Sequence, residues 1–163
     1  MNINIRGRLF DLSKPKVMGI LNLTPDSFYD GGVHNEINKI EDHVNKMVND
    51  GMDILDIGGY SSKPGAKNIS VDEELSRVIP ILKHIRKIFP ELVISIDTFR
   101  SKIASASLNE GADIINDISG GTLDKNMMSV VAKNNCPYIL MHMQGNPQNM
   151  QNDPSYENVT LEI

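Results

Sequence analysis

Five short apolar runs punctuate the sequence: Val17–Leu21, Asp53–Ile57, Val93–Ile96, Asp113–Ile115 and Tyr138–Met141. Each holds few polar residues and little alternation, the pattern of strands in a parallel sheet covered on both faces. Between the runs the period becomes helical. Ile37, Ile40, Val44, Met47 and Val48 recur at helical spacing, and Gly51 stands where a glycine ends a helix. Ser70-Val71-Asp72-Glu73 has the form of a capping box. The helix it opens carries Leu75, Val78, Ile79, Leu82, Ile85 and Ile88 along one face, up to Phe89-Pro90. Pro80 lies inside it and predicts a kink, or a break near Val78–Ile79. Ser101–Glu110 and Asp124–Asn134 are shorter helices, and Tyr156–Ile163 begins another. Ile3–Leu12 suits a small hairpin around Arg6-Gly7-Arg8.

The alternation of strand and helix predicts an α/β fold with a parallel sheet. Successive strands start about 30 residues apart, so eight such units would need about 240 residues, near the ~250 of a TIM (β/α)8 barrel. The 163 residues hold five units. An open doubly wound sheet of five strands fits the same length, and periodicity alone leaves both open. One further regularity is an echo: Gly51-Met52-Asp53-Ile54-Leu55 resembles Gly111-Ala112-Asp113-Ile114-Ile115, each where a helix runs into a strand.

Polar residues gather at the strand ends: Asn22, Asp56, Asp97, Asn116-Asp117 and His142. In parallel α/β folds the carboxyl ends of the strands carry the ligand site. The loops that follow the first two strands, Asn22–Gly32 and Gly58–Ala66, are rich in glycine and hydroxyls. Such loops let backbone N–H groups approach an anion, and the carboxylates and amide of the first are hard donors suited to Mg2+ beside a diphosphate. Asp97 and Asn116 on neighbouring strands converge on one pocket, where a carboxylate and an amide read the edge of a nitrogen heterocycle. Capping of Ser101–Glu110 by Asp97 or Thr98 is the competing, purely structural role. His34, His43 and His84 read as surface residues, and Met141 and Met143 suit either a flat apolar pocket or plain packing. H-E-x-x-H, C-x-x-C and G-x-S-x-G do not occur.

Hydrophobic residues at 40% and charged residues at 23% exclude wholesale disorder. A net charge of −5 predicts no nucleic-acid or anionic-membrane partner. No run approaches the ~18 apolar residues of a membrane span. Met1–Asp11 has no apolar stretch of the signal-peptide kind, so the expected compartment is the cytoplasm. Cys136 has no second cysteine to pair with and is expected to be an inert core thiol.

The motifs resemble those of the dihydropteroate synthases, the pterin-binding enzymes of folate biosynthesis. The resemblance rests on Met18–Gly32, Asp56–Ala66, Ser95–Thr98, Ile114–Ile118 and Leu140–Pro147, in matching order and spacing. It implies a TIM (β/α)8 barrel of which residues 1–163 form a partial domain of about five βα units. It implies a transferase that condenses 6-hydroxymethyl-7,8-dihydropterin diphosphate with 4-aminobenzoate, giving 7,8-dihydropteroate and diphosphate. Carried over, Asn22 binds Mg2+; Asp97 and Asn116 hydrogen-bond the pterin, with Ile118 and Met141 packing near it. Ser62 and Lys63 serve the diphosphate, and Phe28 and Pro64 the aminobenzoate pocket. The diphosphate leaves, a cationic pterin forms and the amine attacks it, so no nucleophilic side chain is required. The family usually has glutamate at position 60, threonine at 62 and arginine at 63; here stand Tyr60, Ser62 and Lys63. Lys63 keeps the charge and loses the bidentate fork. The family's later strands supply further ligands, and its last helices a homodimer contact. Lacking those strands, these 163 residues are expected to be inactive or nearly so alone and to leave apolar edges at Val17–Leu21 and Tyr138–Met141.

Overall fold

Strand and helix alternate in the computed structural model much as the hydrophobic pattern predicts. Residues 1–23, 33–61 and 68–163 are described, with only the backbone of 33–36. The elements are β1 (Asn2–Ile5), β2 (Arg8–Asp11), β3 (Met18–Asn22), α1 (Val33–Asn49), β4 (Ile54–Gly58) and α2 (Val71–Ile88). There follow β5 (Val93–Asp97), α3 (Ser101–Asn109), β6 (Ile114–Asp117), α4 (Met127–Asn134), β7 (Tyr138–Leu140) and α5 (Val159–Glu162). Strands β3 to β7 form one parallel sheet in sequential order, and β1 pairs with β2 as an antiparallel hairpin. A doubly wound sheet reverses direction at a switch point. Sequential order without reversal is the arrangement of consecutive barrel units.

The two faces of the sheet differ in chemistry. Leu21, Leu55, Ile57, Ile94, Ile96 and Ile115 are buried on the face toward the helices. There they pack with Ile40 and Val44 of α1, Val78, Leu82 and Ile85 of α2, Ile103 of α3 and Met127 of α4. Each such side chain stabilises the fold by about 1.5–3 kcal/mol. The opposite face begins apolar at the amino ends, where Ile54, Val93 and Ile114 pack with Ile5, Ile3 and Phe10 of the hairpin. The hairpin thus plugs the bottom, and the polar strand ends lie at the top.

The echo noticed in the sequence is a repeated helix exit. Gly51 and Gly111 have φ of 95° and 96°. Gly51 N donates to Val48 O and Met52 N to Met47 O; Gly111 N donates to Leu108 O and Ala112 N to Ser107 O. This is the Schellman pattern twice over. The next aspartate then accepts from the preceding strand: Asp53 from Val17 N at 2.9 Å and Asp113 from Ile94 N at 2.8 Å. A third exit uses Asn135 at φ 51°, with Asn135 N on Ala132 O and Cys136 N on Val131 O. Cys136 therefore fills the place of Met52 and Ala112. It is half-buried rather than a core thiol, and burial raises its pKa.

Several expectations need correcting. α2 runs unbroken through Pro80. Pro80 is exposed while Val78, Leu82 and Ile85 stay buried, so the carbonyl it frees, that of Ser76, lies on the solvent side. The capping box is half formed: Ser70 Oγ accepts from Glu73 N, but the Glu73 carboxylate pairs with Arg77. The fourth helix starts at Met127 rather than Asp124, because Asp124 is drawn into turn bonds with Asn126 N and Met127 N. Strand bounds move by one or two residues, β3 and β4 each starting one later and β6 reaching Asp117. His84 is no free surface group, since its Nε2 lies 2.9 Å from Glu41 Oε2 and ties α2 to α1.

The hairpin is clamped by charge. Arg6 Nε lies 2.8 Å from Asp113 Oδ1, and Arg6 Nη1 donates to Pro90 O at 2.7 Å. Asp113 also accepts from Arg86 Nη2 at 2.6 Å. Removing one side of a buried ion network leaves uncompensated charge. Asp113→Ala is accordingly expected to cost about 3 kcal/mol or more in urea unfolding, where a loss below about 1 kcal/mol would show the clamp to be dispensable.

Among the described residues neither outer strand has a further partner. Ile20 on β3 is 61% exposed and Leu140 on β7 57%. Such edges template pairing with other chains. Sedimentation velocity is expected to show concentration-dependent association of this chain; a sharp monomer throughout would count against it.

Candidate functional site

Parallel pairing fixes which side chains share a face. Asn22 pairs with Gly58, Gly58 with Asp97, and Asp97 with Asn116. Residues paired in parallel register point the same way, and side chains alternate along each strand. These four positions therefore form one row at the carboxyl ends, on the face away from the helices. One layer below lie Ile20, Asp56, Ser95 and Ile114.

Gly58 keeps the row open. A Cβ there would sit 3.4 Å from Asn22 Oδ1 and 3.5 Å from Asp97 Oδ2. The missing side chain leaves a cleft between an amide oxygen and a carboxylate. Mg2+ retains waters and takes phosphate oxygens, needing only one or two protein oxygens, so the chemistry of Asn22 fits it. Among the described residues no group of three or more His, Cys, Asp or Glu gathers as a metal cage.

Asp97 accepts no hydrogen bond from any described residue. Burial raises its pKa to about 7, and the charges of Asp56, Glu74 and Asp117 add to the rise. It does not cap α3. The first amide of that helix, Ser101 N, donates instead to Asp124 Oδ2 at 2.7 Å. Thr98 is otherwise engaged, donating to Glu74 Oε1 at 2.7 Å and accepting from Arg100 N at 3.2 Å. With its capping duty taken by Asp124, Asp97 remains a carboxylate facing the cleft.

Asn116 Nδ2 donates to Asp56 Oδ2 at 3.0 Å. Asp56 is 4% exposed, and burial raises its pKa although Ser95 and Asn116 favour the charged form. Neither Asp56 Oδ1 nor Ser95 Oγ completes a hydrogen bond of good geometry. Asp56 carried no assigned role in the motifs. Its signal was there, two residues before Gly58 on one strand face.

Asp117, beside Asn116, faces the other way. Its carboxylate accepts from Ser119 N, Ser119 Oγ, Gly121 N and Tyr138 Oη, at 2.7, 2.7, 3.0 and 2.7 Å. This shapes the turn that carries Ile118, which is half-buried. Burial and the Asp117 charge push the Tyr138 phenol pKa up. Met141 N donates to Asp117 O at 3.2 Å, placing Met141 beside that turn with its side chain 39% exposed. His142 lies outside the row, its Nε2 2.9 Å from Tyr156 Oη. Phe28, Ser62, Lys63 and Pro64 lie outside the described residues.

The substitution-like departure at position 60 is absorbed by packing. Tyr60 is buried, edge-on to Phe99 at 5.1 Å, with the Arg100 guanidinium 5.3 Å from each ring. Gln148 Nε2 donates to its hydroxyl at 2.9 Å. Arg100 in turn holds the buried Glu74 carboxylate at 2.7 Å. The cluster fixes the start of the loop after β4.

Sequential βα units topped by an amide, an open glycine, a carboxylate that has no donor among the described residues and a second amide define a barrel-type ligand-binding protein. Comparison with known proteins makes the class specific. The family of pterin binding enzymes matches residues 18–163, and the chain belongs to it. It is similar to the dihydropteroate synthase of Escherichia coli K12, 46% identical over the whole of this chain and 57% of that relative. Among solved structures it resembles the Yersinia pestis dihydropteroate synthase in complex with a sulfonamide drug, with a TM-score of 0.85 and 41% identity. That match covers 99% of this chain and 58% of the other. It also resembles the Clostridium difficile enzyme crystallised with pteroic acid, with a TM-score of 0.81 and 39% identity, over 92% of this chain and 54% of the other. The chain thus spans somewhat more than half the length of these relatives.

A carboxyl with a raised folded-state pKa is penalised in its charged form, so its share of stability falls as pH rises from about 4 to about 7. Asp56 and Glu74, also raised by burial, act in the same sense. Asp97→Asn is expected to flatten part of this slope and to melt higher than the parent at pH 8, with little difference at pH 4. Parallel melting profiles for the two proteins across that range would refute the shift.

Proposed function

We propose that this chain forms the pterin-binding part of a dihydropteroate synthase. In that role it handles 6-hydroxymethyl-7,8-dihydropterin diphosphate, its transfer to 4-aminobenzoate and the release of diphosphate. One observation carries the proposal: a half-buried carboxylate, without a hydrogen-bond donor among the described residues, stands beside an amide on the inner row. A flat heterocycle with N–H donors supplies what Asp97 lacks, and Asn116 offers an amide beside it. The raised pKa of Asp97 means that binding a donor edge draws it toward the charged form. That charge, held in a dry site, also favours a pterin on which positive charge develops. Ile118 and Met141 pack against the ring near the same turn.

Asn22 would hold Mg2+ with the substrate's phosphates. When bound, the ion neutralises charge on the departing diphosphate. Ser62 and Lys63 are assigned to the diphosphate, and Phe28 and Pro64 to the aminobenzoate. A cytoplasmic location goes with this function and with the single unpaired thiol of Cys136. Residues 1–163 act as one portion of the catalytic domain, and turnover needs residues beyond the five βα units.

Titration calorimetry of the 163-residue chain with the pterin diphosphate and Mg2+ is expected to give measurable heat. Asn116→Ala should weaken binding by about ten-fold, the scale of one hydrogen bond in a dry site. Absence of heat at millimolar ligand would speak against a retained pterin site. Diphosphate release at the rate of a full-length relative would overturn the expectation that this portion turns over poorly.

A further inference from the structure

We propose that Asp56 is a positioning residue, which from the layer below the row holds the Asn116 amide with Nδ2 inward and Oδ1 toward the mouth. The inference deepens the pterin-binding role proposed above and rests on it for the ligand. An amide carries a donor and an acceptor of nearly equal size, so its orientation decides whether the pocket asks for an N–H or for a lone pair. The Nδ2–Oδ2 distance of 3.0 Å fixes that choice. In the flipped orientation Asn116 Oδ1 would face a carboxylate oxygen, acceptor against acceptor. No described residue donates to Asn116 Oδ1, which is therefore left for the ligand.

The placement follows from the sheet. Asp56 pairs with Ser95 and Asn116 pairs with Asp97, so the bond crosses β5 diagonally from one layer to the next. Asp56 is too deep to touch a molecule seated on the row, and it is hemmed by Ser95, which is fully buried. A buried carboxylate that carries an unmet oxygen is costly as pure structure. Setting the amide gives it a function. Asp56 acts through Asn116, with no direct contact to substrate.

The first test needs no ligand. In the isotope-labelled chain one of the two Asn116 side-chain N–H protons is expected to be shifted and protected from exchange by the carboxylate. Asp56→Leu, which keeps the size and removes the acceptor, should abolish that signature while the backbone spectrum persists. The second test uses pteroic acid as probe. Asp56→Leu should weaken binding by about ten-fold. The exchange Asp56→Asn with Asn116→Asp should retain most of the affinity that Asp56→Leu loses, because the amide now at position 56 donates to the carboxylate now at 116, which still turns an acceptor to the mouth. Simple loss of packing would not be repaired by that exchange. Unshifted, rapidly exchanging Asn116 side-chain N–H protons in the parent chain would overturn the proposal, as would unchanged affinity in Asp56→Leu. If the parent does not bind pteroic acid, the pterin-binding role fails, while the side-chain resonances still decide the orientation.

Discussion

Parallel pairing without offset is the constraint on which the site depends. Because Asn22, Gly58, Asp97 and Asn116 are partners across adjacent strands, a period of two sends all four to the same face. A one-residue slip in any pairing would turn that strand's polar end toward the helices and its Leu or Ile into the cleft. The apolar residues between the polar ones prevent this. Leu21, Ile57, Ile96 and Ile115 are buried against α1 to α4, so the register that fills the core also aligns the row. Folding energy and site geometry are set by the same alternation.

The lower layers keep the row in place. The repeated helix exits lead the chain into β4, β6 and β7, and Asp53 and Asp113 begin the pairing with backbone N–H groups. Arg6 and Arg86 neutralise Asp113 beneath the sheet, and the hairpin closes that end. At the top, Asp117 commits its whole carboxylate to the turn after β6, whereas Asp97 commits none of its own to a described partner. Two aspartates at strand ends therefore do opposite work. One builds a loop, and the other stays open to a ligand.

Much of this was legible in the residues. Apolar runs, helix-ending glycines and turn residues located the elements, because local hydrogen bonding and periodicity depend on neighbours in the chain. The echo at Gly51 and Gly111 was visible, though not its meaning as a capped helix exit with a strand-pairing aspartate. What could not be read depends on partners far apart in sequence. Nothing local tells that Asp124 rather than Asp97 caps α3, that Pro80 lies on the solvent side, or that Asp56 reaches across β5 to Asn116. Tyr60, where the family usually has glutamate, is the centre of a packed cluster with Phe99, Arg100 and Gln148.

The central claim is that the row at the strand ends is one pterin-binding surface. A crystal structure of this chain with pteroic acid tests it most directly. The account predicts the ring on the inner face, its N–H groups on the Asp97 carboxylate and on Asn116 Oδ1, with Asn116 Nδ2 still on Asp56. A ligand bound elsewhere, or one that leaves Asp97 untouched, would contradict it.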